Sequence, residues 1–292
     1  MLSKRWQDKA MRLILTACAS TSILIVVLIF IFLGKEAAPF AAGPGLAALA
    51  DDHWTPVSFV KERFGLWPLA AGSLAVTVMA ILMAAPLGVL GAVYISEIAR
   101  PWEREVLKPF IEILAGIPSV VLGFFGLVVV APLVKQMFDL NTGLTALTGA
   151  ILLALMAIPT IISVSEDAIH AVPAAYKQAS MALGASPVQT MWRVTVPAAL
   201  PGILAANLLG MGRVIGETMA VMMVTGNAAV ITFSPLESVR TMTATIAAEM
   251  GEVSLGGTHY QALFCIGLVL LIVTFGLNHV AQVILRRYEK RA

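Results

Sequence analysis

An all-α membrane protein with six transmembrane helices is the fold class this chain predicts, and three observations carry it. Its 292 residues are 59% hydrophobic and only 12% charged, with a mean hydropathy of +0.90; soluble domains are about 25% charged. Six apolar runs are long enough to cross roughly 30 Å of hydrocarbon, a distance that takes about 20 helical residues. With the N-terminus placed in the cytoplasm, thirteen basic residues fall on the cytoplasmic side and five on the outer side, which is the positive-inside pattern. A net charge of +2, with no block of five like charges, leaves no nucleic-acid role. There is no metalloprotease, Cys-x-x-Cys or phosphate-loop pattern. No cofactor is expected, and any ATP hydrolysis belongs to a separate subunit.

The elements follow in order. Residues 1–12, with Lys4, Arg5, Lys9 and Arg12, form a cytoplasmic N-terminus before a first transmembrane helix over 13–34. That apolar run exceeds the ~7–15 residues of a signal-peptide core, so it reads as an uncleaved span. Residues 35–68, with Pro39, Gly43, Pro44, Gly45 and Pro56, read as an external, solvated loop. Its Asp51-Asp52-His53 is weighed as a metal ligand set and read as part of that loop. The membrane domain proper covers 69–285. Its first span, 69–94, contains Pro86, tolerated in lipid because neighbouring groups re-satisfy the freed backbone. Gly88 and Gly91 permit close helix approach there. The next span, 113–134, opens on Gly116-Ile117-Pro118-Ser119, which breaks the helix near its start. A fourth lies within 140–165 and a fifth covers 200–226. In the loop that follows, Val239, Met242, Ile246 and Met250 recur at helical spacing and predict a short amphipathic helix. The sixth span, 260–285, precedes a basic cytoplasmic tail over 286–292. Cys18 and Cys265 fall in apolar runs and read as small buried side chains, with no disulfide framework.

Residues 166–201 are a polar interruption with strong local signals. Pro173 opens a helix where its missing N–H costs nothing, Ala174 to Leu183 favours helix, and Gly184 supplies a left-handed terminator. Ser186-Pro187-Val188-Gln189 is a second start: a serine cap, a proline at the first position, and a glutamine three residues after the cap. Pro197 and Pro201 are expected to end that second helix. Gln178-Ala179-Ser180, three residues, Gly184, nine residues, then Val194-x-Val196-Pro197 resembles the EAA loop of ABC importer permeases. The departures are Gln178 for Glu, Ser180 for Ala, Val194 for Ile and Val196 for Leu, and the first removes a charge. The resemblance implies a coupling helix that seats in a cleft of an ATPase subunit, carried by Gln178, Ala179, Ser180, Gly184, Val194 and Pro197.

Arg213 and Glu217 lie in the fifth apolar run, four residues apart, where a helix would place them on one face and let them pair. An ionisable group at membrane depth costs at least ~2.5 kcal/mol and must face protein or water. A structural clamp and an anion path are the two readings of the pair. The guanidinium fork suits an oxyanion, with Glu217 expected to hold it in place. The surrounding Gly210-Met211-Gly212-Arg213-Val214-Ile215-Gly216-Glu217-Thr218-Met219-Ala220-Val221 resembles the permeases of phosphate ABC importers, and more the PstC-type than the PstA-type subunit. Ala115 to Gly123, Ser238 to Ile246, and His259 to Leu263 carry the same resemblance. It implies a type I ABC permease fold in a bacterial inner membrane, and a subunit that is not itself an enzyme. It also implies three kinds of partner: a PstA-type second permease, a pair of ATPase subunits, and an external phosphate-binding protein. Arg213 and Glu217 would then lie on the substrate path. A permease for molybdate, sulfate or phosphonate, and an ATP-independent carrier, are the rival readings.

Overall fold

In hydrocarbon every backbone polar group must find its partner inside the protein, so charge-free runs of this length fold as helices. The computed structural model describes residues 2–58 and 60–289. Among them, six helical stretches are long and apolar enough to cross a bilayer: Met11–Ala42, Trp67–Ile98, Ser119–Met137, Ala146–His170, Pro187–Ile215 and Thr258–Val283. The six expected spans are found, but the ends of several move, and each shift has a local cause.

Helix α1 (Leu2–Ala42) does not stop at Lys35. Its last turns continue because Ala37 and Phe40 are buried, in a core shared with Leu263 and Ile266 of α12 (Thr258–Glu289). The expected loop stays mostly exposed, but a few of its side chains are packed. Strands β1 (Trp54–Thr55) and β2 (Arg63–Phe64) pair antiparallel with Trp54 opposite Phe64. Both rings are buried, and Phe40 meets Phe64 edge-on at 5.4 Å. The few large apolar side chains outweigh the breaker-rich average of this segment. Cys18 is exposed on α1, contrary to expectation, whereas Cys265 is buried.

Helices α2 (Trp67–Val93), α6 (Ala146–His170) and α9 (Val196–Ile215) form the centre. Their approach is set by two glycines and one isoleucine. A Cβ on Gly88 would stand 2.6 Å from Ile161 Cγ2, and one on Gly210 would stand 2.7 Å from Ile161 Cγ1. Ile161, fully buried on α6, therefore fills a notch on each neighbour. This is the close approach expected of Gly88, extended to a third helix.

The third span begins later than 113. Pro101 and Gly116 bracket a separate sixteen-residue helix, α3 (Pro101–Gly116), and Ile117-Pro118 breaks it from α4 (Ser119–Phe125). A wide π-turn over Gly126–Val130 leads into α5 (Ala131–Met137). The fourth span, α6, starts only at Ala146, where Thr145 Oγ1 accepts from Thr148 N at 3.2 Å as its cap.

The fifth span differs most from expectation. Pro197 and Pro201 do not end the helix that starts at Pro187. Short helix α8 (Pro187–Thr190) passes through a π-turn over Met191–Thr195 straight into α9. In that turn the Val196 N–H reaches back five residues to Met191 O. The wide turn absorbs the bond that Pro197 cannot donate, which is where π-bulges and prolines meet in bent helices. The helix instead ends at Ile215, before Gly216, and resumes as α10 (Met219–Val224). The expected amphipathic helix is present but shorter, as α11 (Met242–Glu249), with Met242 buried in it and Val239 buried ahead of its start.

Candidate translocation path and docking surface

At one end of the bundle, α7 (Ala174–Ala182) and α8 form the helix–turn–helix. Gly184 sits at φ +88°, the left-handed conformation its position requires. Ser186 Oγ accepts from Gln189 N at 3.3 Å while Gln189 Oε1 accepts from Ser186 N at 2.9 Å, a complete capping box. Ser180 has a function of its own, since its hydroxyl lies 2.9 Å from that of buried Thr190 and ties the two helices together. Gln178, Ala179, Gly184 and Pro197 are exposed, while Ser180 and Val194 are half-buried. Beside them Tyr176, Met181, Leu183, Val188 and Trp192 present a large apolar surface. An exposed apolar patch on a polar element marks a contact surface.

Arg213 stands in the last turn of α9. Its Nη1 donates to Thr160 Oγ1 at 3.2 Å and its Nη2 to Ala115 O at 3.2 Å. Ala115 O is one of the carbonyls that a helix end leaves without a partner inside the helix, and a cation there also suits the helix dipole. Arg213 thus joins the break after α3, a turn of α6 beside Pro159, and the break after α9. Discontinuous helices are where membrane transporters place their binding groups.

The expected Arg213–Glu217 pair is not formed. Gly216 ends the helix between them, so the four-residue spacing no longer puts them on one face. Glu217 Oε1 instead accepts from Ala220 N at 3.2 Å in the first turn of α10. It also borders a cavity of about 10 Å³, roughly one water position, lined with the hydroxyl residues Ser73, Thr77, Thr241 and Thr243. Among the described residues, no carboxylate lies within ion-pair distance of Arg213.

Ion pairs invisible to the sequence reading frame this site. Lys177 of α7 meets Glu97, in the π-turn over Tyr94–Ile98 that ends α2, at 2.6 Å. Lys108 of α3 meets buried Glu166 of α6 at 2.7 Å and Asp167 at 3.4 Å. The Glu166 carboxylate, accepting from Lys108, holds that ammonium above the ordinary lysine range. Arg104 donates to Ile95 O at 3.0 Å and to Ser96 O at 2.7 Å, capping the end of α2. The signal that could have found α3 was the repeat of Trp102, Val106, Phe110 and Ile113 between Pro101 and Gly116, apolar positions that all lie exposed on it. At the opposite end, Glu249 accepts from Trp54 Nε1 at 3.1 Å, meets Arg240 at 2.8 Å and has His259 at 2.7 Å. Asp51, Asp52 and His53 do converge, with all ligand atoms within 4.8 Å, on the exposed hairpin. His53 Nδ1 lies 2.6 Å from Asp52 Oδ1 and Arg63 Nη1 3.7 Å from Asp51 Oδ1, so neighbouring side chains already answer the acidic groups.

The fold is that of the type I ABC importer permeases. A solved bacterial ABC transporter that imports the acidic polysaccharide alginate superposes with a TM-score of 0.61 at 16% identity, over 97% of this chain and 99% of that one. The MetNI methionine ABC transporter superposes at 0.57 and 21% identity, over 77% and 94%. The family of binding-protein-dependent transport system inner membrane components matches residues 84–292, and the chain belongs to it. It is therefore a permease subunit, not an enzyme; in such importers the ATPase is a separate subunit and a binding protein delivers the substrate. A probable ABC transporter permease protein, YqgH of Bacillus subtilis (strain 168), is 42% identical over 90% of this chain and 86% of its own length. The phosphate transport system permease protein PstC of Mesorhizobium japonicum is 32% identical over 93% and 90%.

Proposed function

We propose that this chain is the PstC-type permease of an ATP-driven phosphate importer and forms half of its translocation path. The observation that carries the reading is Arg213, a guanidinium in the last turn of an apolar span whose partners are a hydroxyl and a backbone carbonyl rather than a carboxylate. A cation left with neutral acceptors at a junction of broken helices retains its charge for an anion. The PstC relatives supply the substrate, since the YqgH name gives none and the solved neighbours carry other cargoes. Glu217 lines the same path without clamping Arg213.

The remaining parts follow from this reading. A PstA-type permease completes the path, and a pair of ATPase subunits receives the helix–turn–helix through Gln178, Ala179, Ser180, Gly184, Val194 and Pro197. An external phosphate-binding protein docks at the hairpin end. The positive-inside count supports cytoplasmic N- and C-termini. The binding protein delivers phosphate, ATP closes the ATPase dimer, and the path opens outward; hydrolysis returns it.

The test is uptake by the assembled importer in proteoliposomes, with molybdate, sulfate and phosphonate as competitors. Arg213→Gln is expected to lower phosphate uptake at least about tenfold. A hydrogen bond to a charged group is worth about 1.5–3 kcal/mol, and 1.4 kcal/mol is tenfold. Arg213→Lys keeps the charge and should retain part of the uptake. Full uptake by Arg213→Gln at normal abundance would remove Arg213 from the path. Competition by sulfate or molybdate at equal concentration would displace phosphate as the substrate.

A further inference from the structure

Three contacts described above lie along one helix. The N-terminal end of α3 is fastened to the end of α2 by Arg104, which donates to both Ile95 O and Ser96 O. In that same end of α2, Glu97 receives Lys177 from α7 at 2.6 Å, with the two side chains 14% and 29% exposed. Near the middle of α3, Lys108 is held on α6 by buried Glu166 at 2.7 Å. At its far end, Ala115 O accepts from Arg213. The helix has sixteen residues, so it spans about 24 Å at 1.5 Å per residue. It is cut free of the next span by Ile117-Pro118.

We propose that α3 is a lever that carries displacement of the helix–turn–helix to Arg213. Lys177 on Glu97 is where it is pushed, and Lys108 on Glu166 is its fulcrum. This rests on the reading of α7 as the ATPase-docking helix. A push on α7 moves the end of α2 and the α3 N-terminus with it. The rod tips about Lys108, and Ala115 moves the opposite way. Arg213 then loses or regains its carbonyl partner, so the guanidinium becomes available to an anion in one state of the cycle and occupied in the other. Lys177 and Glu97 are positioning residues, since neither touches the path. The length of α3, which runs as one helix through Pro109, lets a small shift at its N-terminal end reach Arg213, and the Ile117-Pro118 break lets it do so without dragging α4.

The experiment is a charge-exchange cycle in the assembled complex: Lys177→Glu, Glu97→Lys, and the two combined. Two readouts are taken. One is phosphate imported per ATP hydrolysed. The other is the maleimide labelling rate of a cysteine at Ala115 (Ala115→Cys, with Cys18→Ser), compared between nucleotide-free and vanadate-trapped states. Ala115→Cys leaves the backbone carbonyl in place, and Cys265 is buried. Each single exchange is expected to lower the transport ratio at least about fivefold and to erase the nucleotide-dependent change in labelling. The double exchange should bring both back to within about twofold. Coupling residues away from both sites shift coupling by amounts of this order. A labelling change untouched by either single exchange, or a double exchange no better than the worse single, overturns the lever. Intact nucleotide-dependent labelling that follows the charge exchange, in a complex that carries no phosphate, leaves the lever standing and overturns the phosphate reading. Should the lysine at Glu97 prevent assembly, Glu97→Gln with Lys177→Gln replaces the exchange; both readouts falling together in each single variant supports the lever, and neither falling overturns it.

Discussion

At the scale of single residues, Arg213 and Glu217 show how one helix end redistributes function. Their four-residue spacing promises a pair, but Gly216 closes α9 before the second residue is reached. Arg213 turns to Thr160 and Ala115, 53 and 98 residues away in sequence, and no local pattern announces either. An arginine in an apolar run was legible; its partners were not, because they are set by tertiary placement. Glu217, freed from the arginine, bonds the first turn of α10. Its loss should therefore show in stability as well as in transport. Glu217→Ala is expected to cost about 0.5–2 kcal/mol, as loss of a helix cap does, and Glu217→Gln less. Thermal unfolding in detergent measures this, and an Ala variant as stable as the parent would deny the capping role.

Elements test differently, because their effects pass through backbone conformation and packing. Nothing lies within 4 Å of where a Cβ would stand on Gly184, so a side chain there meets no steric neighbour, only the φ of +88°. Asparagine tolerates that conformation and valine does not. Gly184→Asn should keep most transport, whereas Gly184→Val should insert normally and lose it; equal uptake by the two variants would dissociate the corner from coupling. Ile161 is the packing counterpart. Gly88→Val drives a side chain into it and should destabilise by roughly 1–3 kcal/mol, the usual cost of overpacking. Ile161→Ala combined with Gly88→Val should regain part of the loss, and simple addition of the two single effects would show that the notch is not shared. Capping boxes, left-handed glycines and charge-free runs are local, and the sequence displayed them. The continuity of α8 into α9 was not legible, because a π-turn can absorb a proline that would otherwise stop a helix. Helix α3 was hidden for another reason: its last turn overlaps the span expected from residue 113, and its charged first half offers no long apolar run.

For the molecule as a whole, one end carries an apolar, glycine-cornered helix–turn–helix and the other a packed hairpin, with Arg213 between them. Tagged chain purified from native membranes in mild detergent is expected to bring down an ATPase and a second permease, with the binding protein in smaller amount. Mass spectrometry of that material decides it, and a homo-oligomer without an ATPase would favour the carrier reading. The hairpin end carries a consequence for observation. Glu249 is shared by Trp54, Arg240 and His259, so one carboxylate fastens the hairpin, the loop before α11 and the start of α12. Trp54 is buried, whereas Trp67, Trp102 and Trp192 are exposed. With those three and Trp6 replaced by phenylalanine, Trp54 is the one indole left in the chain, and its emission should shift to the red whenever the hairpin lifts. The protein would then carry its own optical probe, able to time the opening of its hairpin end without any added dye.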